Sequence, residues 1–384
     1  MTIIDEAIKN SKEIIELRRF FHENPEPGFR EEKTAERIEK ELERIGEFEV
    51  RRVAGTGVVA DIGESLSRIM LRADMDALEL EEKTDASYAS KNQGLMHACG
   101  HDAHMAMLLG AAKIIASKKK DLKRGVRIIF QPSEETAPGG AQAMISEGVL
   151  DGVTAAFAQH VYPQLSAGAI GVKSGVMMAA SDDFDVAFIG REGHAAFPND
   201  CRDSIVAGAE FVSRIQTLIS RRVSPFDSAV LTIGSFHAGT RRNIIAGETR
   251  IQGTIRTLNQ ETGELLRRQV EQIARSSATA LETGIEFKLI ESYPILENDI
   301  ELTDCVKRTA ADILGEKNVI EIKHPSMGSE DFAYYGGKVP ICFFRLGSGG
   351  EESSTRFCHH NSKFNIDESC LPIGAALMAS LVFE

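Results

Sequence analysis

The residues with the clearest chemical potential lie in one short segment and in a pair of adjacent carboxylates further along. Residues 97–104 read HACGHDAH, with Cys99 and His101 two positions apart, and Glu134 and Glu135 follow later in the chain. In an extended loop the Cys99 and His101 side chains can converge on one ion. Thiolate, imidazole and carboxylate ligands suit zinc, manganese, cobalt or nickel better than calcium or magnesium. The segment therefore predicts a site for one of these divalent metals.

The paired glutamates indicate that such a site is hydrolytic. Hydrolysis at a metal needs one carboxylate on the ion and a second beside it, which accepts a proton from bound water. Adjacent side chains on an extended segment point in opposite directions, so one of Glu134 and Glu135 can face the ion while the other approaches the substrate. Spacing alone leaves open which glutamate takes which role.

Other histidines have two interpretations each when judged from their neighbours alone. His97 and His104 are either supports for the metal ligands or structural residues, and Asp102 either orients His101 or caps a helix. Isolated histidines more often have a structural role than a catalytic or metal-binding one. We expect the same, from their neighbours alone, of His160, His359 and His360.

A second group of candidates follows the middle of the chain. His194 lies between small residues after a predicted strand, which permits close approach of a substrate or of another chain. Asn243 and Arg256 can bind a carboxylate, Arg256 through its planar guanidinium, or can be ordinary solvated residues. The residue types alone do not separate these interpretations.

The elements that position these residues alternate between helix and strand over the first 170 residues. We expect helices over 3–21, 34–45 and 102–117 and strands over 57–62, 68–73 and 126–130. This alternation predicts an α/β layer with a mixed, largely parallel sheet. The two glutamates then lie just past the carboxyl end of the 126–130 strand, where open α/β sheets bind their ligands.

Near residue 177 the pattern changes to the order strand, helix, strand, strand, helix, strand. This order is that of the split β-α-β unit of ferredoxin-like α+β domains. Helical patterns over 301–314 and 371–383 then return to the α/β layer. We therefore expect a discontinuous metal-binding domain at 1–176 and 291–384 with a domain inserted at 177–290.

Composition excludes several classes of protein. A chain of 384 residues exceeds the size that one core usually serves, so two domains are expected. A net charge of -13, without a large basic block, argues against a nucleic-acid partner. There is no apolar run near the roughly 18 residues of a membrane span. Six cysteines without a framework spacing fit reduced thiols, so we expect a cytoplasmic protein.

Seven motifs in order resemble those of a known family. They occupy residues 18–26, 71–78, 96–102, 130–135, 193–196, 253–257 and 327–332. The chain resembles the aminoacylase/carboxypeptidase metallopeptidase family, in the branch that contains bacterial N-acyl-amino-acid amidohydrolases, hippuricases and plant auxin-conjugate hydrolases. The resemblance covers nearly the whole chain.

The resemblance implies a role for each candidate residue. It makes Glu134 the general base and His194 a donor to the oxyanion, with Asn243 and Arg256 holding the substrate. The inserted domain becomes a lid and dimerisation domain, and one or two divalent ions (Mn, Zn, Co or Ni) are implied, with Cys99 as the bridge. The implied metal ligands are Cys99, His101, Glu135, His160 and His360.

The resemblance also implies an activity. We expect a metal-dependent enzyme that cleaves the amide bond of a small N-acyl-amino acid to a free amino acid and a carboxylic acid, and that forms a homodimer or homotetramer. One alternative is a dipeptidase or carboxypeptidase of the same family. The other is a non-catalytic metal-binding protein, which would require the loss of a ligand or of the base.

Overall fold

The structure is a computed structural model that describes residues 1–384. Its helices, in chain order, are α1 (Ile3–Lys9), α2 (Ser11–Glu23), α3 (Glu32–Ile45), α4 (His101–Ser117), α5 (Gly140–Ser146), α6 (Ser204–Arg221), α7 (Gln260–Ala280), α8 (Ile300–Leu314), α9 (Ala333–Gly336) and α10 (Cys370–Ser380). None of these helices has the length and apolar character needed to cross a membrane.

The strands, in chain order, are β1 (Glu49–Val53), β2 (Gly57–Ile62), β3 (Arg68–Asp74), β4 (Gly125–Gln131), β5 (Val153–Ser166), β6 (Ile170–Val172), β7 (Gly175–Met178), β8 (Ala180–Ile189), β9 (Gly193–His194), β10 (Ala229–Ala238), β11 (Ile244–Ile245), β12 (Glu248–Thr257), β13 (Gly284–Glu291), β14 (Leu296–Asn298), β15 (Val319–Glu321) and β16 (Ile341–Gly349).

The chain divides into two compact units. The first comprises Met1–Met177, Glu297–His324 and Asp331–Glu384, and the second comprises Met178–Leu296 and Pro325–Glu330. The sequence-based boundaries had assigned residues 291–296 and 325–330 to the metal-binding domain. These residues join the second unit because their backbones bond to it: Ser292 N–H donates to Ser181 O, and Ala179 N–H donates to Ser326 O.

The first unit is built on an eight-stranded sheet in the order β1-β2-β4-β3-β5-β16-β6-β15. The central pairs β4–β3, β3–β5 and β5–β16 are parallel, while β1–β2 and β2–β4 are antiparallel. Every residue of β4 is buried, as expected for a strand covered on both faces. Helix α4 is buried along almost its whole length and packs against α10 and α2. The predicted mixed, largely parallel α/β sheet is confirmed.

The second unit contains a four-stranded antiparallel sheet in the order β10-β12-β8-β13. Helices α6 and α7 pack together against this sheet, and their apolar stripes share one core with it. That core includes Phe184, Phe211, Ile251 and Val270, all fully buried. The chain order of strands and helices is the predicted split β-α-β arrangement.

The prediction of one helix over residues 3–21 was wrong. Asn10 separates α1 from α2, with φ -88° and ψ 1°, and its N–H closes the first helix on Glu6 and Ala7 carbonyls. The apolar stripe continues across the break because both helices face the same core. A periodic pattern alone therefore did not show where the first helix ends.

Candidate metal centre

The loop between β3 and α4 delivers the first two candidate ligands. Cys99 is the penultimate residue of this loop, and His101 is the first residue of α4. Gly100 between them has φ 91°, and a β-carbon at this position would collide with the Val161 side chain. Only glycine tolerates this backbone conformation together with such close packing. The Cys-Gly-His sequence thus turns two candidate ligands, one residue apart, toward β5.

The paired glutamates lie on a turn whose backbone N–H groups donate hydrogen bonds to two buried carboxylates. The turn follows β4 and begins at Ser133, which has φ 49°. Asp76 accepts hydrogen bonds from the backbone N–H groups of Glu134 and Glu135, each at 3.0 Å. Glu31 accepts the Ser133 N–H at 2.9 Å, and burial raises the pKa of Glu31. The directions of both glutamates are therefore set by the backbone of the turn.

The five predicted ligands come together in the first unit. Cys99 Sγ lies 3.4 Å from His160 Nε2, and Glu135 Oε1 lies 3.2 Å from His360 Nε2 and 3.9 Å from His101 Nε2. Within each of three overlapping groups, the candidate ligand atoms lie within 4.8 Å of one another. These groups are Cys99, His101 and His160; Cys99, Glu135 and His360; and His101, Glu134 and Glu135.

Two buried atoms of this cluster lack any hydrogen-bond partner. They are His101 Nε2 and Glu135 Oε1, the second of which has an ion-pair contact with His360 Nε2 at 3.2 Å. Buried polar atoms are nearly always bonded, so a pair of unsatisfied ones that face each other requires an explanation. His101 Nδ1 is engaged by the Asp76 carbonyl oxygen at 2.9 Å, which leaves the Nε2 lone pair for a cation. Sulfur, imidazole and carboxylate donors with these free atoms fit a divalent metal of the zinc or manganese type.

The Val161 backbone organises three histidines. His160 Nδ1 lies 2.8 Å from Val161 O and donates to it, so His160 Nε2 is the nitrogen that faces Cys99. His104 accepts the Val161 N–H at Nε2 and donates from Nδ1 to Asp74 at 2.6 Å. Both ring nitrogens of His104 are therefore engaged in hydrogen bonds, which favours a supporting role over that of a ligand. His359 donates to Val161 O at 2.8 Å, so of the two adjacent histidines only His360 faces Glu135.

The charges of the cluster favour a cation. Burial lowers the pKa of His101, but Asp74, Asp76 and Glu135 outweigh it and raise the pKa of His101 to about 10. Burial and the neighbouring Glu135 raise the pKa of Cys99 well above its ordinary value. The carboxylates contribute to both shifts, and a bound cation would oppose them by favouring the thiolate and the neutral imidazole.

Asp102 performs neither of the two roles that its position suggested. Helix α4 has Gly100 at its N-cap without a side-chain cap, and Asp76 rather than Asp102 bonds to His101. Asp102 instead accepts from Arg18 Nε at 2.8 Å and lies 2.7 Å from His22 Nδ1. Burial raises the pKa of Asp102, but Arg18 and His22 hold it well below its ordinary range. Asp102 therefore attaches α2 to the start of α4.

The three remaining candidates belong to the second unit. His194 lies on β9 opposite Ile244 of β11, and the Asn243 carbonyl accepts the Ala195 N–H, so His194 and Asn243 are neighbours. The His194 side chain is exposed. Arg256 on β12 donates to Ser329 Oγ at 2.7 Å. Within the second unit, Arg256 is thus held by the segment 325–330.

A family model covers most of the chain, including every candidate metal ligand. The model of peptidase family M20/M25/M40 matches residues 70–384. The chain belongs to this family. It is accordingly a metal-dependent hydrolase that acts on amide bonds. The resemblance inferred from the seven motifs is confirmed.

Individual relatives of this family agree in length with the chain. An N-acyl-L-amino acid amidohydrolase of Geobacillus stearothermophilus is 40% identical over 77% of this chain and 80% of its own. Thermostable carboxypeptidase 2 of Saccharolobus solfataricus is 36% identical over 100% and 99% of the two chains. A crystal structure of a dinuclear metal-binding M20 peptidase from Bacillus subtilis has 34% identity, covers 97% of both chains and superposes with a TM-score of 0.82.

Sequence reasoning assigned no role to the residues that orient the ligands. Asp74 and Asp76 occur in the motif at 71–78, at and just after the end of β3. β3 is parallel to β4 and β5, so its carboxyl end lies beside the end of β4, which Glu134 follows, and close to His160 in the middle of β5. The sequence did contain a usable signal, because carboxylates that follow a buried parallel strand lie at the ligand-binding edge of the sheet.

Proposed function

We propose that this protein hydrolyses the amide bond of N-acyl-amino acids, yielding a free amino acid and a carboxylic acid. The observation that carries the proposal is the convergence of five candidate ligand side chains beside Glu134, two of which have a buried atom that forms no hydrogen bond. The proposed ligands of one or two divalent ions are Cys99, His101, Glu135, His160 and His360. The names of relatives that act on N-acyl-amino acids support this substrate class.

When bound, the proposed ions would supply Lewis acidity, which would lower the pKa of the attacking water and polarise the scissile carbonyl. The remaining chemistry belongs to side chains of this protein. Glu134 accepts the proton of the attacking water and delivers it to the leaving amine when the C–N bond breaks. One water is consumed, its oxygen enters the carboxylic acid, and Glu134 returns to its starting state.

The different surroundings of the two glutamates support this division of roles. Glu135 faces His360 and His101 through Oε1, as expected of a ligand. Glu134 is buried on the same turn, and its carboxylate lies within 4.8 Å of ligand atoms of His101 and Glu135. A carboxylate next to the ion, on a backbone fixed by Asp76, is placed to move a proton.

Residues of the second unit complete the proposal. His194 donates a hydrogen bond to the oxyanion as it develops, while Asn243 and Arg256 hold the substrate. Their support is the family membership, the exposed His194 side chain and its proximity to Asn243. We further propose that the second unit acts as a lid and dimerisation domain in a homodimer or homotetramer. Light scattering tests this proposal, and a monomeric mass contradicts it.

The substitution Glu134→Gln tests the catalytic assignment. We expect the variant to bind metal as the wild type does but to lose almost all turnover, since the amide cannot accept a proton. Glu64→Gln, at an exposed position, is the matched control and keeps full activity. Metal content measured by mass spectrometry and initial rates on N-acetyl-L-methionine decide the result. Substantial residual activity in Glu134→Gln contradicts the role of Glu134.

A substrate and metal panel tests the activity itself. The enzyme is stripped with a chelator, reloaded with Mn, Zn, Co or Ni, and assayed on N-acetyl and N-benzoyl amino acids and on dipeptides. We expect at least one metal to restore hydrolysis of the N-acyl-amino acids. Faster cleavage of dipeptides than of every N-acyl-amino acid favours the carboxypeptidase or dipeptidase alternative, and no restored activity contradicts the proposal.

We also propose a cytoplasmic location. Its support is that all six cysteines are free, and one of them, Cys99, is a proposed metal ligand. Cell fractionation with an antibody against the protein tests this location.

A further inference from the structure

Arg345 differs from the other buried arginines of the first unit. Arg18, Arg72 and Arg127 each form an ion pair with at least one aspartate at 2.7–2.8 Å. Arg345 is half-buried in the middle of β16, yet no side-chain or backbone oxygen accepts a hydrogen bond from its guanidinium. Arginine is seldom withdrawn from water without a partner, because its charge loses hydration. An unpartnered, half-buried guanidinium is therefore suited to an anion that arrives from outside the chain.

The sheet register places Arg345 beside the metal centre. β16 runs parallel to β5, and Arg345 is the register partner of His160. Paired residues of neighbouring parallel strands point to the same face, at a strand separation of about 4.8 Å. Phe343, two residues before Arg345 on the same face, contacts the His160 ring at a centroid distance of 6.1 Å. Arg345 therefore lies on the sheet face that carries the proposed ligand His160.

An aromatic side chain fixes the guanidinium and leaves its edge available. The Arg345 Cζ lies 4.1 Å from the centre of the Tyr162 ring. The centroid of the Tyr162 ring also lies 6.1 Å from that of His359, and the His359 centroid lies 4.8 Å from that of His160. Stacking occupies one planar face of a guanidinium, whereas its N–H donors point outward in the plane. That edge matches the two oxygens of a carboxylate.

We infer that Arg345 recognises a carboxylate of the substrate additional to the α-carboxylate that every N-acyl-amino acid carries. This inference rests on the proposed function, which it narrows to substrates with an acidic acyl group or an acidic amino-acid side chain. Arg345 is a specificity-determining residue here, and Tyr162 positions it.

Two pairs of substrates of equal shape test the inference. N-succinyl-L-methionine and its terminal amide place the extra carboxylate on the acyl group, and N-acetyl-L-glutamate and N-acetyl-L-glutamine place it on the amino acid. In the wild type we expect kcat/KM to favour the acid over the amide by at least about tenfold in one pair, the ratio typical of one charge-assisted hydrogen bond. The pair that shows the preference identifies the source of the carboxylate.

The variant Arg345→Met should abolish that preference while kcat/KM for the two amides stays within about twofold of wild type. Arg345→Lys, which keeps the charge without the planar fork, should retain part of the preference. The matched control is Arg51→Met, an exposed arginine on β1, five strands away across the sheet. It removes the same charge and should leave the preference unchanged.

A binding measurement separates this inference from the proposed function. Calorimetry with the metal-loaded protein compares succinate with succinamate, and glutamate with glutamine, in wild type and Arg345→Met. Tighter binding of one acid that depends on Arg345 supports the subsite even if no N-acyl-amino acid is cleaved. An acid-to-amide ratio near one in the wild type, or one that Arg345→Met leaves unchanged in both pairs and both measurements, overturns the inference.

Discussion

Asp76 offers the sharpest test of how the metal centre is held together. Its carboxylate accepts the backbone N–H groups of Glu134 and Glu135 at 3.0 Å, and its Oδ1 lies 3.2 Å from His101 Nδ1. Asp76 thus contacts both the proposed ligand His101 and the turn of the paired glutamates. The substitution Asp76→Asn preserves size but replaces one acceptor oxygen with an NH2 group, which cannot accept either N–H.

The magnitude follows from the bonds that are lost. One buried backbone N–H remains without an acceptor, which costs about 1–3 kcal/mol of unfolding free energy. The remaining bond to the amide oxygen lacks the help of a full negative charge. Residues that orient metal ligands typically contribute about tenfold to about 100-fold in metal affinity. We therefore expect Asp76→Asn to weaken metal binding in this range and to lower the unfolding free energy of the metal-free protein by about 1–3 kcal/mol.

Chelator competition measures the metal affinity, and urea denaturation of the metal-free protein measures stability. Asp61→Asn is a suitable control, because Asp61 pairs with Arg127 through two 2.7 Å hydrogen bonds on the β2–β4 pair. The control should lower stability without changing metal affinity. Wild-type metal affinity in Asp76→Asn refutes the reasoning, and so does an equal loss of affinity in both variants.

Three further predictions concern stability. Burial lowers the pKa of His22, but Asp102 and other partners outweigh burial and raise this pKa above its ordinary value. The contribution of His22 to the free energy of unfolding is therefore fully present below pH 6.5 and is lost as pH rises through the folded-state pKa. The stability difference between wild type and His22→Gln, from urea curves between about pH 6 and about pH 9, should shrink as pH rises. Glu31→Ala should cost about 1–3 kcal/mol, since it leaves the Ser133 N–H unbonded, and unchanged urea midpoints contradict this. Gly374→Ala should cost about 1–3 kcal/mol by overpacking α10 against α4, and thermal denaturation measures the loss.

The fold was predictable from sequence where the spacing of apolar residues within one segment identifies a helix or a strand. The buried strand at 126–130 and the strand–helix order after residue 177 have patterns that allow few alternatives, and the structure contains both. The break at Asn10 was not predictable from the apolar stripe, because two consecutive helices that face one core carry the same stripe as one long helix. Residue types also did not show that residues 325–330 join the second unit, because backbone hydrogen bonds to Ala179 place this segment there.

The candidate site was predictable in part for a similar reason. Cys99 and His101 stand out because their spacing is local, whereas His160 is an ordinary histidine on a long strand until parallel pairing brings β5 beside β3. Asp76 was missed because its partners include backbone groups, which sequence does not display. Asp76 acts on two N–H groups that are far away in sequence and only 3.0 Å away in space.

The adjacent residues His359 and His360 show why residue type alone could not assign the last ligand. His360 has φ 61°, a left-handed conformation that is uncommon for residues other than glycine and costs about 1 kcal/mol or more. Its N–H donates to Ala98 O at 2.9 Å, so the same backbone that turns His360 toward Glu135 is bonded to the loop that carries Cys99. This hydrogen bond joins the backbone of the proposed ligand His360 to the loop that carries the proposed ligand Cys99, although the two residues are 261 positions apart in sequence.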